Sequence, residues 1–153
     1  MSVKIRSAGI KDYESVLRIM NQIQKMHINW RPDIYKENCN IISREVFQTI
    51  VAGDNFFVAE IDGSIVGIME VIKRHIETPA HITRNVLFID SLAVDENYRG
   101  QGIGHMFLEK VKEMKEQLHF DGIELQVNAK NKVAYEMYLK YGFTEKSINM
   151  ELL

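Results

Sequence analysis

Val94-Asp95-Glu96-Asn97-Tyr98-Arg99-Gly100-Gln101-Gly102-Ile103-Gly104 is the stretch on which the fold of this chain turns. An apolar run, Val86-Leu87-Phe88-Ile89, leads into it. Ile103, Phe107, Val111, Met114 and Leu118 follow at helical spacing. The segment therefore joins a strand to an amphipathic helix. Its three alternate glycines carry no Cβ and permit positive φ. Successive backbone N–H groups can then line one concavity, and the helix start adds unpaired donors and partial positive charge. Such a loop suits phosphate or pyrophosphate. A P-loop would close with Gly-Lys-Ser/Thr, but Gly104 is followed by His105 and Met106. A dinucleotide fingerprint would place its third glycine where His105 stands, although Glu124 lies at a plausible distance for a ribose-binding acid. A glycine-rich turn with no ligand is the remaining reading.

Working outward, Val3–Ser7 alternates as a strand, and Asp12 precedes a helical stripe of Val16, Ile19, Met20, Ile23 and Met26. Residues 28–40, with Pro32, read as irregular. Ser43 caps a second helix ending near Gly53. Asn55–Ile61 and Ser64–Lys73 are β-rich runs around Asp62-Gly63, a dipeptide suited to a type I′ turn. Residues 74–85 read as a polar loop, and 86–94 and 122–127 as strands. Asn131 caps a helix to Tyr141, which Gly142 stops. The tail 143–153 reads as one or two short strands. Helices and strands mix without strict alternation. The expected fold is α/β, with a mixed, partly antiparallel central sheet flanked by helices.

The chain has 153 residues, 46% hydrophobic and 26% charged, which fits one globular domain over residues 1–153. No apolar run approaches the length that spans a bilayer. The N-terminus, Val3-Lys4-Ile5-Arg6, lacks a signal-like apolar region, and Cys39 is the single cysteine. A reducing, cytoplasmic setting is expected. A net charge of -2 gives no general pull toward nucleic acid or an anionic membrane. The five histidines and Cys39 show no metal-ligand spacing, so no metal is expected.

Arg99-Gly100-Gln101-Gly102-Ile103-Gly104 resembles the Arg/Gln-x-x-Gly-x-Gly/Ala signature of Gcn5-related N-acetyltransferases. Downstream, Asn131-Lys132-Val133-Ala134-Tyr135-Glu136-Met137-Tyr138-Leu139-Lys140-Tyr141-Gly142-Phe143 is similar to that family's N-x-x-A-x-x-x-Y-x-x-x-G-F helix. The element order matches along nearly the whole chain. The resemblance implies an acyl-CoA N-acyltransferase-like fold in which strands 4 and 5 splay apart to admit a cofactor arm. It also implies an N-acetyltransferase in which an amine attacks the thioester of acetyl-CoA directly, in a ternary complex.

The resemblance assigns cofactor contacts to Leu92, Ala93, Val94, Arg99, Gly100, Gln101, Gly102, Ile103, Gly104, Asn131 and Ala134. Leu92–Val94 would pair with the pantetheine through backbone groups, as in β-augmentation. Tyr138 matches the tyrosine that serves as general acid, and a phenol is protonated at neutral pH. As a tyrosine at helical spacing it also reads as a packing residue. Asp90 interrupts an apolar strand and is the candidate base, with a pKa raised by desolvation. The alternative is an aspartate bonded to loop backbone. Glu70, Glu124, His75 and His81 are reserves. Trp30, Asp33 and Tyr35 are candidate acceptor contacts, and equally a surface loop pinned by Trp30.

The acceptor is not given by the resemblance. Ribosomal-protein N-terminal acetyltransferases carry a glutamate five residues before the helix Asn, where this chain has Gln126. A small-molecule primary amine is therefore favoured over a peptide or protein amine. A non-catalytic acetyl-CoA-binding regulatory module would keep residues 99–104 but need neither Asp90 nor Tyr138. A nucleotide-dependent oxidoreductase is weakened by His105. A homodimer is compatible with the sequence but not specified by it.

Overall fold

The computed structural model describes residues 2–153. The elements run β1 (Val3–Ser7), α1 (Tyr13–Trp30), α2 (Arg44–Ala52), β2 (Phe56–Ile61), β3 (Ser64–Ile76), β4 (Arg84–Val94), α3 (Ile103–Leu118), β5 (Gly122–Leu125) and α4 (Lys132–Tyr141). Strand order is β1-β2-β3-β4-β5. The first three pairings are antiparallel, and β4–β5 is parallel. This is the mixed sheet expected from the sequence. The Asp62-Gly63 turn has φ of 48° and 82°, the two positive values that a type I′ hairpin requires.

Both sheet faces are covered, which is why β2 reads as nearly continuous apolar sequence. Successive side chains point to opposite faces. Phe57, Ala59, Met69, Val71, Leu87 and Ile89 pack with Ile103, Phe107, Leu108 and Val111 of α3. Phe56, Val58, Ile65, Ile68 and Ala93 pack with Val16 and Ile19 of α1 and Phe47 of α2. Gly67 lets α3 approach β3 closely, because a Cβ there would stand 2.8 Å from the Phe107 ring.

Four sequence expectations are corrected. α1 runs through Trp30, so residues 28–30 are helical and the irregular segment starts at Arg31, just before Pro32. The polar loop shrinks to 77–83, because pairing of His75 with Asn85 and Ile76 with Arg84 extends both strands past their apolar parts. β5 stops at Leu125, where its pairing partner Ile89 is the last β4 residue within reach. The tail 143–153 holds no strand: no backbone hydrogen bond joins residues 144–153 to the sheet among the described residues. No described helix is long and apolar enough to cross a membrane.

Candidate active site

The β4–β5 ladder runs from Val86 opposite Gly122 to Ile89 opposite Leu125 and then ends. Residues 90–94 of β4 keep only β3 as a neighbour, so their other edge is open. The parting begins at a bulge. Glu70 pairs with Ser91 and Val71 with Ile89, which leaves Asp90 without a partner in the ladder. Bulges bend a strand and re-aim a side chain. The open edge carries Leu92, Ala93 and Val94. Leu92 and Val94 pack toward the α3 face and Ala93 is buried toward α1. Their side chains thus belong to the core, and their backbone groups are what the open edge offers to a strand-like ligand arm.

The glycine loop follows. Gly100 and Gly102 have φ of 76° and 83°, and a Cβ built on either meets nothing within 4 Å. The loop therefore combines left-handed backbone with open space above it. Gly102 stands at the N-cap of α3, and no side chain caps the helix. The N–H groups of the first turn thus remain available to an anion. Ile103 is core, and Gly104 admits Met137 of α4, whose sulfur would lie 3.2 Å from an added Cβ. Gln101 is exposed. Arg99 is turned back on its own strand: Nε donates to the Val94 carbonyl at 3.2 Å and the guanidinium reaches Met26.

A network not anticipated from the sequence fixes this loop. Asp95 is 3% exposed. Its carboxylate accepts Arg18 Nη1 at 2.5 Å and the Asn97 amide at 3.0 Å. Burial pushes its pKa up, but Arg18 and the Asn97 amide outweigh burial and hold it below the ordinary value. Gln22 Oε1 accepts the Glu96 amide at 3.0 Å. Arg18, Gln22 and Met26 recur every fourth residue, so one stripe of α1 grips the segment from Asp95 to Arg99. The polar interruptions in the α1 stripe were the available sign; their partners were not readable.

The three tyrosines of α4 separate clearly. Tyr135 donates to Glu145 at 2.6 Å and Tyr141 to Glu109 at 2.5 Å. Burial and the Glu109 carboxylate push the Tyr141 phenol up to about 12. The Tyr138 hydroxyl has no protein partner among the described residues, and burial raises its pKa. α4 itself starts where Asn131 Oδ1 accepts the Ala134 amide at 3.2 Å, and Gly142 ends it at φ 119°. Asn131 and Ala134 thus make a helix cap together, which commits the Asn131 oxygen and the Ala134 N–H.

Asp90 is exposed, contrary to the desolvation expected of it; its bulge lifts it off the strand. The group shifted upward is Glu70, first by its own burial and then by the charge of Asp90 and a hydrogen bond with it. Neither carboxyl forms an ion pair with a basic side chain among the described residues. The other reserves are occupied. Glu124 meets Lys146 at 2.9 Å and Arg84 at 3.4 Å. His75 contacts Asn85 and Glu77, and His81 contacts Thr78.

Trp30 ends α1, and its carbonyl accepts Lys130 Nζ at 3.0 Å, tying the α1 end to the loop before α4. Tyr35 stacks on His27 at 4.7 Å. Asp33 is gripped by Arg31 at 2.9 and 2.7 Å, and its pKa is lowered by that contact. It is thereby a partner of Arg31 more than a free anion. No group of three or more metal-ligating side chains occurs among the described residues.

Residues 20–143 match the profile of the acetyltransferase (GNAT) family. An N-alpha-acetyltransferase from Sulfurisphaera tokodaii is 37% identical over 97 residues, which is 61% of this chain and 58% of that protein. Curated archaeal relatives are longer: the chain spans 41% to 58% of their length. A solved mutant of the BH1408 protein from Bacillus halodurans superposes with a TM-score of 0.88 at 28% identity, covering 98% of this chain and 99% of that one. The PaiA N-acetyltransferase from Thermoplasma acidophilum, solved with coenzyme A, shares the fold with a TM-score of 0.77 at 19% identity, covering 97% and 94%. With the matched profile spanning the strand edge, the glycine loop and α4 alike, this chain belongs to the acetyltransferase (GNAT) family.

Proposed function

We propose that residues 1–153 form one N-acetyltransferase domain that moves an acetyl group from acetyl-CoA to a small primary amine in a ternary complex. When bound, acetyl-CoA supplies the activated acyl thioester. Two features fit it: an uncapped α3 start behind two left-handed glycines with open space above them, and an unpaired β4 edge beside that loop. Gly100–Gly104 and Arg99–Gln101 hold the pyrophosphate through backbone amides. Backbone groups of Leu92–Val94 orient the pantetheine arm, and one N–H there donates to the acyl oxygen. Tyr138 holds its proton at Oη for the departing sulfur. The Glu70–Asp90 pair takes a proton from the ammonium, directly or through water. Trp30 and Tyr35 line the acceptor end.

The observation that carries this reading is the Tyr138 hydroxyl: its two helix neighbours are tied to glutamates, and it is not. A non-catalytic acetyl-CoA module would need neither that free phenol nor the carboxyl pair. Two carboxyls without a basic partner favour a cationic amine as acceptor, and Gln126 argues against a protein N-terminus. The test is chromatographic detection of acetylated product from acetyl-CoA and a panel of polyamines, amino-acid derivatives, aminoglycosides and N-terminal peptides. Turnover of a small amine is expected; exclusive turnover of peptides would move the acceptor class, and no turnover with intact acetyl-CoA binding would leave a binding module.

A further inference from the structure

The tail after α4 is a strand in pattern without a strand's partner. Its first part is anchored. Phe143 packs into the core beside Tyr138, Glu145 accepts the Tyr135 hydroxyl, and Lys146 reaches Glu124 on β5. Its far end is anchored too, because Glu151 pairs with Arg31 beyond α1. Between and beyond these points Ile148, Met150 and Leu152 alternate in the sequence. They are 74%, 86% and 99% exposed, and Leu153 is 95% exposed. The charged residues of the segment are already engaged within the chain. What remains outward from 147 to 153 is uncharged: Ser147, Ile148, Asn149, Met150, Leu152 and Leu153.

The sheet has the complementary defect. β5 is an edge strand of four residues with only β4 beside it. Among the described residues, no backbone hydrogen bond crosses from it to the tail. An apolar strand held flat in water with no charge or proline to guard it is an aggregation template, and lasting proteins keep such edges covered. A cover needed at all times has to be present wherever the chain is. A second copy meets that condition, because each copy carries both the missing strand and the missing neighbour. Reciprocal addition closes a two-fold dimer and leaves no edge to propagate. A seven-residue strand of roughly 23 Å outruns the four residues of β5, so it can cover that edge fully.

We infer that this chain is a two-fold homodimer in which residues 147–153 of each copy run as a strand along the β5 edge of the other. The exchange adds no residue to the catalytic groups, but it fixes β5, the strand whose parting from β4 opens the site.

The test is analytical ultracentrifugation of the full chain, with hydrogen exchange followed by mass spectrometry on the same samples. A dimer is expected at about 100 µM, with slowed exchange in peptides covering both β5 and 147–153. Ile148→Lys with Met150→Lys should weaken the dimer at least ~10-fold and lift protection from both peptides together, with the circular dichroism of the fold retained. Met150→Leu should remain dimeric. A monomeric wild type overturns the proposal. So does a dimer that survives the lysine pair, or one that dissociates without any change at β5.

Discussion

The Tyr138 ring meets Phe143 edge-on, with centroids 5.7 Å apart. Phe143 follows the left-handed stop at Gly142, so the end of α4 folds back to brace the proposed acid. Packing holds the ring, and the hydroxyl is left to the site. Tyr138→Phe should therefore keep the fold and acetyl-CoA affinity while kcat falls by roughly 10²-fold. Tyr135→Phe and Tyr141→Phe lose hydrogen bonds to glutamates instead. Each should cost about 1 kcal/mol or less of stability and leave kcat near wild type. Steady-state kinetics with thermal melts of the three variants check this, and equal kcat losses in all three would remove Tyr138 from its role.

Glu70 gives a pH signature with a definite sign. Its pKa is raised by burial and by Asp90. A base works deprotonated, so the acid limb of kcat/KM should lie above the ordinary carboxylate value. Asp90→Asn removes the neighbouring charge and should shift that limb to lower pH. Glu70→Gln should abolish it. For stability the sign runs the other way: a carboxyl with a raised folded pKa stabilises below its unfolded pKa, and that contribution is lost as pH rises through the folded one. Glu70→Gln should thus melt higher than wild type at neutral pH and lose this advantage in acid. A loss of activity equal at every pH in both variants would make the pair structural.

Gly102 and Gly63 share nearly the same φ, 83° and 82°, and open space above each. Alanine at either should cost about 1 kcal/mol or somewhat more in the left-handed region. Only Gly102 lies at the α3 start. Gly102→Asp should weaken acetyl-CoA at least tenfold by calorimetry, about 1.4 kcal/mol, whereas Gly63→Asp should leave it unchanged. Matched affinities would move the pyrophosphate elsewhere.

Asp95 joins stability to cofactor binding. Its folded pKa is depressed, so its contribution is present above the ordinary carboxylate value and fades as pH falls through the folded one. Asp95→Asn should cost roughly 1–3 kcal/mol near neutrality and less in acid. It should also raise the Kd for acetyl-CoA, because the segment entering the glycine loop loses its anchor on α1. Arg18→Lys should recover more affinity than Arg18→Met. Chemical denaturation at two pH values and calorimetry read both effects, and an unchanged Kd in a destabilised Asp95→Asn would confine the residue to folding.

The readable parts of this chain were those that local chemistry decides. Asp62-Gly63, the Asn131 cap, the Gly142 stop and the glycine loop each declare a backbone geometry in a few residues. Tyr138 was singled out by a motif, but the reason its hydroxyl differs from those of Tyr135 and Tyr141 is carried by Glu145 and Glu109. Asp90 looked buried because its strand is apolar; a register shift against β3 that only pairing reveals turns it outward. Arg18 and Asp95 are 77 residues apart, and nothing in either neighbourhood names the other. The tail alternates like a strand, and alternation alone does not state what it pairs with.

The parallel β4–β5 contact also sets an order of assembly. β2, β3 and β4 are joined by short connections and can zip as successive hairpins. β5 reaches β4 only after the whole of α3 has been spanned, and such long closures come late and slowly. The loop, the open edge and α4 therefore meet in the last stage of folding. A chain arrested earlier would own a sheet but no place for a thioester. Under native conditions the same boundary is where transient opening should begin: amides of β5 and α4 should exchange before those of β2 and β3.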